Sequence, residues 1–445
     1  MKRQVVSFFL LFAFVLTVSA QKAQMAKSDA LQTNLRKHIE YLASDKLGGR
    51  RTGEAGAMEA AAYVANQFAK LKLRPGMRSA NGKPNYMQPF PYTPKAGEPG
   101  VTGYNIIGIL DGTDKTLRNE AIVIGAHYDH LGHGGEGSLA ANSTEIHHGA
   151  DDNASGTAAI IELARQFAKA KNNKRTIIFI AFSGEEEGLF GSKFYVNNPV
   201  FPIENTVAMF NLDMVGRLHD GKLTIGGIGT ASEWKTLVEL KNVGGTPPPR
   251  PEGYLGPPIR EELRTPLFVL ALNEDGFGPS DHSSFYAKKI PVLFFFTGAH
   301  PDYHKPSDTA DKINYEGEEK IIGYIAEVVK AVDQNAVKPI YTVAKSSGTP
   351  GGTRSGFSIS LGTIPSYTDS TDGMVIDGVR DDSPASRAGL LANDKIIKLA
   401  GQEIKNVQDY TKVLGTMKAG EQYEIVVKRG NDLELILKII PVKRQ

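Results

Sequence analysis

Apolar positions along the chain recur in two rhythms. Between residues 30 and 75, the segments LRKHIEYLASDKL and AMEAAAYVANQFAKL space them three and four apart, the period of an amphipathic helix, with Gly48 and Gly49 between the two. After a stretch rich in Pro, Gly and Asn (75–103) come short uninterrupted apolar runs: AIVIGA (121–126), TIIFIAF (176–182), TVAMF (206–210) and IPVLFFF (290–296). Continuous β-branched and aromatic runs suit strands buried on both faces. Between the first two runs, DNASGTAAIIELARQFAKA is amphipathic, with Asn153 or Ser155 placed to cap it. Strand, helix, strand is a parallel crossover. The pattern therefore predicts an α/β domain with a mixed, mostly parallel sheet flanked by helices, and ligands gathering where its strands end.

A helical pattern, EGEEKIIGYIAEVVKAVDQNA (316–336), closes this domain, and the Ser/Gly/Thr/Pro stretch KSSGTPGGTRSG follows as a linker. Beyond it, short alternating runs, the turn DDSPASRAGL and a helix around 406–418 describe a small β-rich domain. At the other end, Met1, Lys2 and Arg3 precede the apolar run VVSFFLLFAFVLTVSA, whose Val18, Ser19 and Ala20 form a small-residue exit. Its apolar length of about 14 residues falls short of the roughly 20 that span a bilayer. The expected organisation is a signal peptide at 1–20, a catalytic domain at 30–337, a linker at 338–354 and the small domain at 355–445, with no membrane span after cleavage.

Composition narrows the class. With 41% hydrophobic and 22% charged residues the chain is globular rather than disordered. A net charge of +2, with no basic block interleaved with aromatics, argues against nucleic acid as a partner. There is no cysteine, which excludes disulfides and thiolate ligands; an exported chain without disulfides points to the bacterial periplasm or cell envelope.

Nine of the ten histidines lie between residues 127 and 304, several beside carboxylates at the ends of the apolar runs. The first run ends in GAHYDHLG, where His127 can bind metal while Asp129, two residues on, holds its other nitrogen. GADDNASG puts Asp151 and Asp152 at a turn before a helix, as caps or as an acidic pair needing a cation. The second run ends in SGEEEGLFGS, the third in NLDMVG with Asp213, and the fourth leads to TGAHPDYHKPSDT with His300 and His304. Each feature alone has a bland reading as a cap or a solvated face. Together, His, Asp, Glu, Asp and His at five strand ends suit two Zn2+ ions bridged by one carboxylate, about 3.5–4 Å apart.

As an ordered set, GAHYDH, GADDNASG, GEEEGLFGS, NLDMVG and YHKPSDT resemble the two-zinc aminopeptidase family that also contains glutamate carboxypeptidases and glutaminyl cyclases, over roughly residues 34 to 335. The resemblance implies that Asp152 bridges two zinc ions per chain, with His127 and Asp213 completing one site and Glu186 and His304 the other. Asp151 is then a neighbour and Glu187 has no role. Glu185 would be the general base, Asp129 the partner of His127, and Tyr303 an oxyanion stabiliser. SDHSSF places Asp281 and His282 as pocket or supporting residues, or as a local turn network. His130, His133, His147, His148, His219 and His300 are read as loop histidines and His38 as structural.

The C-terminal segments GFSISLGTIP, GMVIDGVRDDSPASRAGL and NDKIIKLAGQEI resemble a bacterial PDZ domain. The resemblance implies capture of a peptide C-terminus at Ser358, Ile359, Ser360, Leu361 and Gly362, although FSISLGTI departs from the usual glycine–hydrophobic loop; packing against the catalytic domain is the alternative. Asp394 is read as a turn cap. Three functions stay open: a zinc aminopeptidase acting on peptides, a glutaminyl cyclase, and a non-catalytic scaffold assembling partners through the PDZ-like domain. Cyclases work with one zinc, whereas all five ligand types stand here.

Overall fold

A computed structural model describes residues 28–79, 81–93, 99–135, 137–140, 143–244, 265–344, 359–365, 372–380, 383–405, 407–430 and 433–443. The expected signal peptide, most of the linker and Ser358 lie outside these residues.

The apolar runs form the middle of a nine-stranded sheet. Its principal strands are β1 (Val101–Leu110), β2 (Ala121–His127), β3 (Thr176–Phe182), β4 (Thr206–Leu212), β5 (Lys222–Gly226), β6 (Val269–Leu272) and β7 (Val292–Phe296), in the order β1-β3-β2-β4-β7-β5-β6. The four runs singled out by their continuous hydrophobicity are β3, β2, β4 and β7. They are adjacent and mutually parallel, while β1 joins β3 and β5 joins β7 antiparallel. Alternate residues explain the unbroken runs. Ile122, Ile124, Phe179 and Phe210 face a core built with the helices at 28–42, Ala55–Lys70, Gly156–Ala170 and Tyr315–Gln334. Val123, Ile178, Ile180 and Met209 face a second core with Tyr195 and Phe285 from the helices Phe190–Asn197 and His282–Tyr286. Because the four strands are parallel, their C-terminal ends share one edge of the sheet, and every motif of the set follows one of those ends or the crossover between them.

The C-terminal unit has its own core around Ile376, Ile396, Ile425 and Val427. Its strands are β8 (Ile359–Ser360), β9 (Thr363–Pro365), β10 (Met374–Val379), β11 (Lys395–Leu399), β12 (Tyr423–Arg429), β13 (Leu433–Ile439) and β14 (Val442–Lys443). The sheet runs β9-β10-β11-β12-β13, and β8 pairs with β14. Part of the expected linker is attached to the larger unit: Thr342 N–H donates to Thr230 O at 2.9 Å and Ala344 N–H to the Tyr286 hydroxyl at 2.9 Å. Arg380 of the small unit pairs with Asp275 of the large one at 2.8 Å and covers the Phe277 ring. No described helix is long and apolar enough to cross a membrane.

Candidate metal centre

Two imidazoles and three carboxylates converge at the parallel strand ends. His127, the last residue of β2, places Nε2 3.4 Å from Asp152 Oδ1 and 3.3 Å from Asp213 Oδ1. His304 places Nε2 3.2 Å from Asp152 Oδ2 and 3.2 Å from Glu186 Oε2. Asp152 thus faces a different histidine with each oxygen. His130 also points into the cluster, with Nδ1 2.6 Å from Glu186 Oε1 and 3.8 Å from Asp152 Oδ2.

The local backbone explains how Asp152 is aimed. Gly149 is left-handed (φ 56°), and a Cβ there would lie 2.2 Å from Asp152 O and 2.5 Å from the His130 ring, so only glycine fits. The Asn153 side chain then ties the turn to the end of β4, donating to Leu212 O (3.0 Å) and accepting from Met214 N–H (3.2 Å). Asp308 Oδ2 accepts from the N–H groups of Asp151 (2.8 Å) and Asp152 (3.1 Å). Asp151 points elsewhere: its Oδ1 accepts from Gly216 N–H and its Oδ2 lies 3.3 Å from His300.

The three consecutive glutamates part ways. Glu186 meets His304 and His130, Glu185 lies beside His127 with Oε2 3.9 Å from its Nε2, and Glu187 pairs with Arg51 at 3.0 Å. His127 Nδ1–H donates to the main-chain carbonyl of Asp129 at 3.2 Å. The Asp129 carboxylate is 3.7 Å from that nitrogen and instead accepts from Thr52 Oγ1 (3.0 Å). Tyr303 stacks on His304 with ring centroids 3.8 Å apart. Asp281 is buried, and His282 stacks on Phe294 at 4.4 Å. Of the remaining histidines, His38 bonds Tyr63 and Glu162, His148 bonds Asp45 and Pro306 O, and His219 is exposed beside Asp220.

Six carboxylates (Asp129, Asp152, Glu185, Glu186, Asp213, Asp281) crowd around three imidazoles, and their proton affinities split accordingly. Burial, with Asp213, Glu186 and Asp281 adding to it, holds the Glu185 carboxyl well above the usual range. Burial pushes Asp281 up to about 7 and Asp129 to about 6. Burial and Asp152 work against the charge on Glu186, yet His304 and His130 outweigh them and hold it at about 2. Burial would lower His304, but Glu186 and Asp152 raise it to about 11. Without a cation the cluster must hold protons; the same nitrogens and oxygens are of the kind that could hold a metal ion instead.

Sequence reasoning missed three contributors. His130, which the sequence presents as a loop histidine three positions from His127, meets Glu186. Asp308 sits inside the quoted YHKPSDT motif. Arg50 is fully buried with its guanidinium bonded to main-chain carbonyls: Tyr128 (2.8 Å), His148 (2.7 Å), Gly149 (3.0 Å) and Leu42. It ties the His127–Asp129 segment to the turn that carries Asp152.

In the C-terminal unit, Ile359 and Ser360 already pair with Lys443 and Val442. Leu361 is a core residue and Gly362 is left-handed (φ 78°). Among the described residues the strand at the sheet edge next to them is β9, whose Thr363 hydroxyl meets the Tyr410 hydroxyl at 2.5 Å.

Comparison with known proteins agrees with this layout. The chain is 28% identical to leupeptin-inactivating enzyme 1 of Streptomyces exfoliatus over 66% of its own length and 55% of that protein's. It is 30% identical to aminopeptidase YwaD of Bacillus subtilis, over 48% of this chain and 41% of the relative. The chain thus spans about half the length of the curated relatives it matches. Among solved structures, a Zn-dependent exopeptidase from Parabacteroides distasonis superposes with a TM-score of 0.52 at 17% identity, covering 67% of this chain and 97% of that one. A glutaminyl cyclase from Porphyromonas gingivalis gives 0.51 at 15% identity, covering 68% and 98%. At such identities these likenesses speak for the fold alone. The model of a PDZ domain matches residues 362–437. The model of peptidase family M28 matches residues 105–329, just over half the chain and the stretch that carries His127, Asp152, Glu186, Asp213 and His304; the chain belongs to peptidase family M28 and carries a PDZ domain behind it.

Proposed function

We propose that the protein is an exported two-zinc aminopeptidase that removes N-terminal residues from peptides, with a catalytic domain at 30–337 and the PDZ domain at 355–445. The observation that carries this reading is the spacing of the donors. Tetrahedral zinc with bonds of roughly 2.0–2.1 Å has ligand–ligand edges of about 3.3 Å. The edges His127–Asp152 (3.4 Å), His127–Asp213 (3.3 Å), His304–Asp152 (3.2 Å) and His304–Glu186 (3.2 Å) all match it. His127, Asp152 and Asp213 would hold one ion, and Asp152, Glu186 and His304 the other. Two such corners sharing Asp152 favour the aminopeptidase over the one-zinc reading.

When bound, the ion pair polarises the scissile carbonyl and acidifies a water. Glu185, held at a high proton affinity by burial and by neighbouring carboxylates, takes the proton from the attacking water and passes it to the leaving amine nitrogen. Tyr303, whose ring stacks on His304, would donate its O–H to the developing oxyanion. Asp129 holds the His127 segment through its carbonyl. An acid-rich site suits a free α-amine, and Arg217, the nearby arginine that could receive a carboxylate, is engaged by Asp302 at 2.9 Å. The leader-like pattern of residues 1–20 supports export. For the PDZ domain, the open edge of β9 beside Gly362 is where an extended peptide would add.

The test is hydrolysis of free-amine and N-blocked peptides with zinc, by the wild type and Glu185→Gln. Shortening of only the free-amine peptides, with Glu185→Gln retaining zinc but losing about 10²–10⁴-fold in rate, is expected. A wild type that binds two ions and cleaves neither set would make the scaffold the better reading.

A further inference from the structure

We propose that His130 is a positioning residue that holds Glu186 in the orientation its partnership with His304 requires, without being a metal ligand itself. This rests on the two-zinc reading above. His130 is fully buried and close to Asp152 and Glu186, so it could equally be taken for a third corner of the second site. Its distances decide otherwise. At 2.6 Å from Glu186 Oε1, Nδ1 is at hydrogen-bond range to a charged acceptor, too short for two ligands sharing an ion; at 3.8 Å from Asp152 Oδ2 it is too far. His304 meets both carboxylates at 3.2 Å, as a ligand would.

The two histidines therefore divide the carboxylate of Glu186. His130 takes Oε1, and Oε2 is left facing His304. Among the described residues, no backbone N–H donates to this carboxylate, and Glu186 follows a strand end on a turn, so His130 is the partner that holds it apart from His304 itself. The His130 ring is itself fixed. It packs so closely on Gly149 that a Cβ there would lie 2.5 Å from Cδ2, and His130 N–H donates to Arg50 O at 3.3 Å. A ring wedged in this way can orient a flexible glutamate.

Residues that hydrogen-bond a metal-binding carboxylate typically contribute 10–100-fold in metal affinity. The experiment compares wild type, His130→Leu, His130→Asn and His304→Asn in full-length protein. Zinc stoichiometry and both affinities are measured by chelator competition, and visible absorption is recorded after loading with cobalt(II). Asparagine keeps a donor near the place of Nδ1, whereas leucine fills similar space with none. The proposal expects His130→Leu to bind two ions with one site weakened about 10–100-fold and the cobalt spectrum shifted. It expects His130→Asn to restore that site to within a few-fold, and His304→Asn to lose one ion.

Loss of one ion from His130→Asn, matching His304→Asn, would make His130 a ligand and overturn the proposal; this comparison stands even if the leucine variant fails to fold. Unchanged affinities and spectrum in His130→Leu would also overturn it. Uptake of a single ion by the wild type would instead defeat the two-zinc reading, so the two failures are told apart.

Discussion

Asp394 in the PDZ domain and Asp152 in the peptidase domain are both almost fully buried, yet their surroundings differ in kind. Asp394 is closed by its own neighbours: Leu391 N–H donates to it at 2.9 Å and Arg429 grips both oxygens at 2.7 Å. Charge is matched one to one, and nothing is left over for a ligand. Asp152 stands among other carboxylates and imidazoles whose protons must be shared, with each of its oxygens turned to a different histidine. A buried charge satisfied locally is part of the architecture; one that is satisfied only by adding cations marks a site.

The sharpest way to break this comparison is to remove the shared carboxylate. Asp152→Asn is expected to lower zinc uptake from two ions towards one or none and to reduce peptide hydrolysis to background, because both clusters lose a corner at once. The zinc-dependent rise in melting temperature should shrink with it. Bound ligand at 1,000 times its dissociation constant stabilises by about 4 kcal/mol, so the loss is easily read by calorimetry. Full retention of two ions by this variant would contradict the bridging role.

A second variant sharpens the distinction between a buried acid that serves the site and one that is merely buried. Glu318, in the first turn of the helix Tyr315–Gln334, is fully enclosed, and neither oxygen has a hydrogen-bond partner among the described residues. Burial, with Asp151 adding to it, raises its carboxyl well above the ordinary 4.5. The folded state therefore keeps a proton that the unfolded chain releases, and stability falls as pH rises above about 4.5, at up to about 1.4 kcal/mol per pH unit until the folded group ionises. Glu318→Gln removes that dependence. Its denaturation free energy should match wild type near pH 4 and exceed it by about 1–3 kcal/mol at pH 8, in the same metal state. An equal difference at both pH values would show that the carboxyl is not the cause.

The legible parts of the molecule were those carried by local pattern. The four central strands carry unbroken apolar runs because both faces of the sheet are covered, and this makes their ends, and hence the motifs behind them, visible. The acids and histidines behind these runs stand out by that position, whereas the choice of Asp152 over Asp151, Glu186 over its neighbours and His304 over His300 comes from the family resemblance and not from the pattern. What stayed hidden depends on contacts between distant segments. Arg50 reaches Tyr128 and Gly149 across 78 and 99 residues, which no periodicity encodes. Asp308 captures the amides of the Asp152 turn from 156 and 157 residues away. His130 was missed because strand alternation stops at His127; past that point the chain turns, bringing His130 towards Glu186 and sending the Asp129 carboxylate to Thr52.

The smallest expected effect tests the other side of the comparison. Asp394→Asn keeps an oxygen for the Leu391 N–H but loses the charge that Arg429 grips. Arg429 is partly exposed and can turn to water, so the cost is that of one charge-assisted pair, about 1–2 kcal/mol. The PDZ domain has its own core and should register this loss as a lower unfolding midpoint for its part of the transition. Zinc stoichiometry and peptide hydrolysis should stay at wild-type values, because among the described residues Asp394 and Arg429 bond within their own unit. A fall in zinc uptake in this variant would mean that the two buried aspartates belong to one coupled system, and the division between a charge that builds and a charge that binds would have to be redrawn along the Arg380–Asp275 contact.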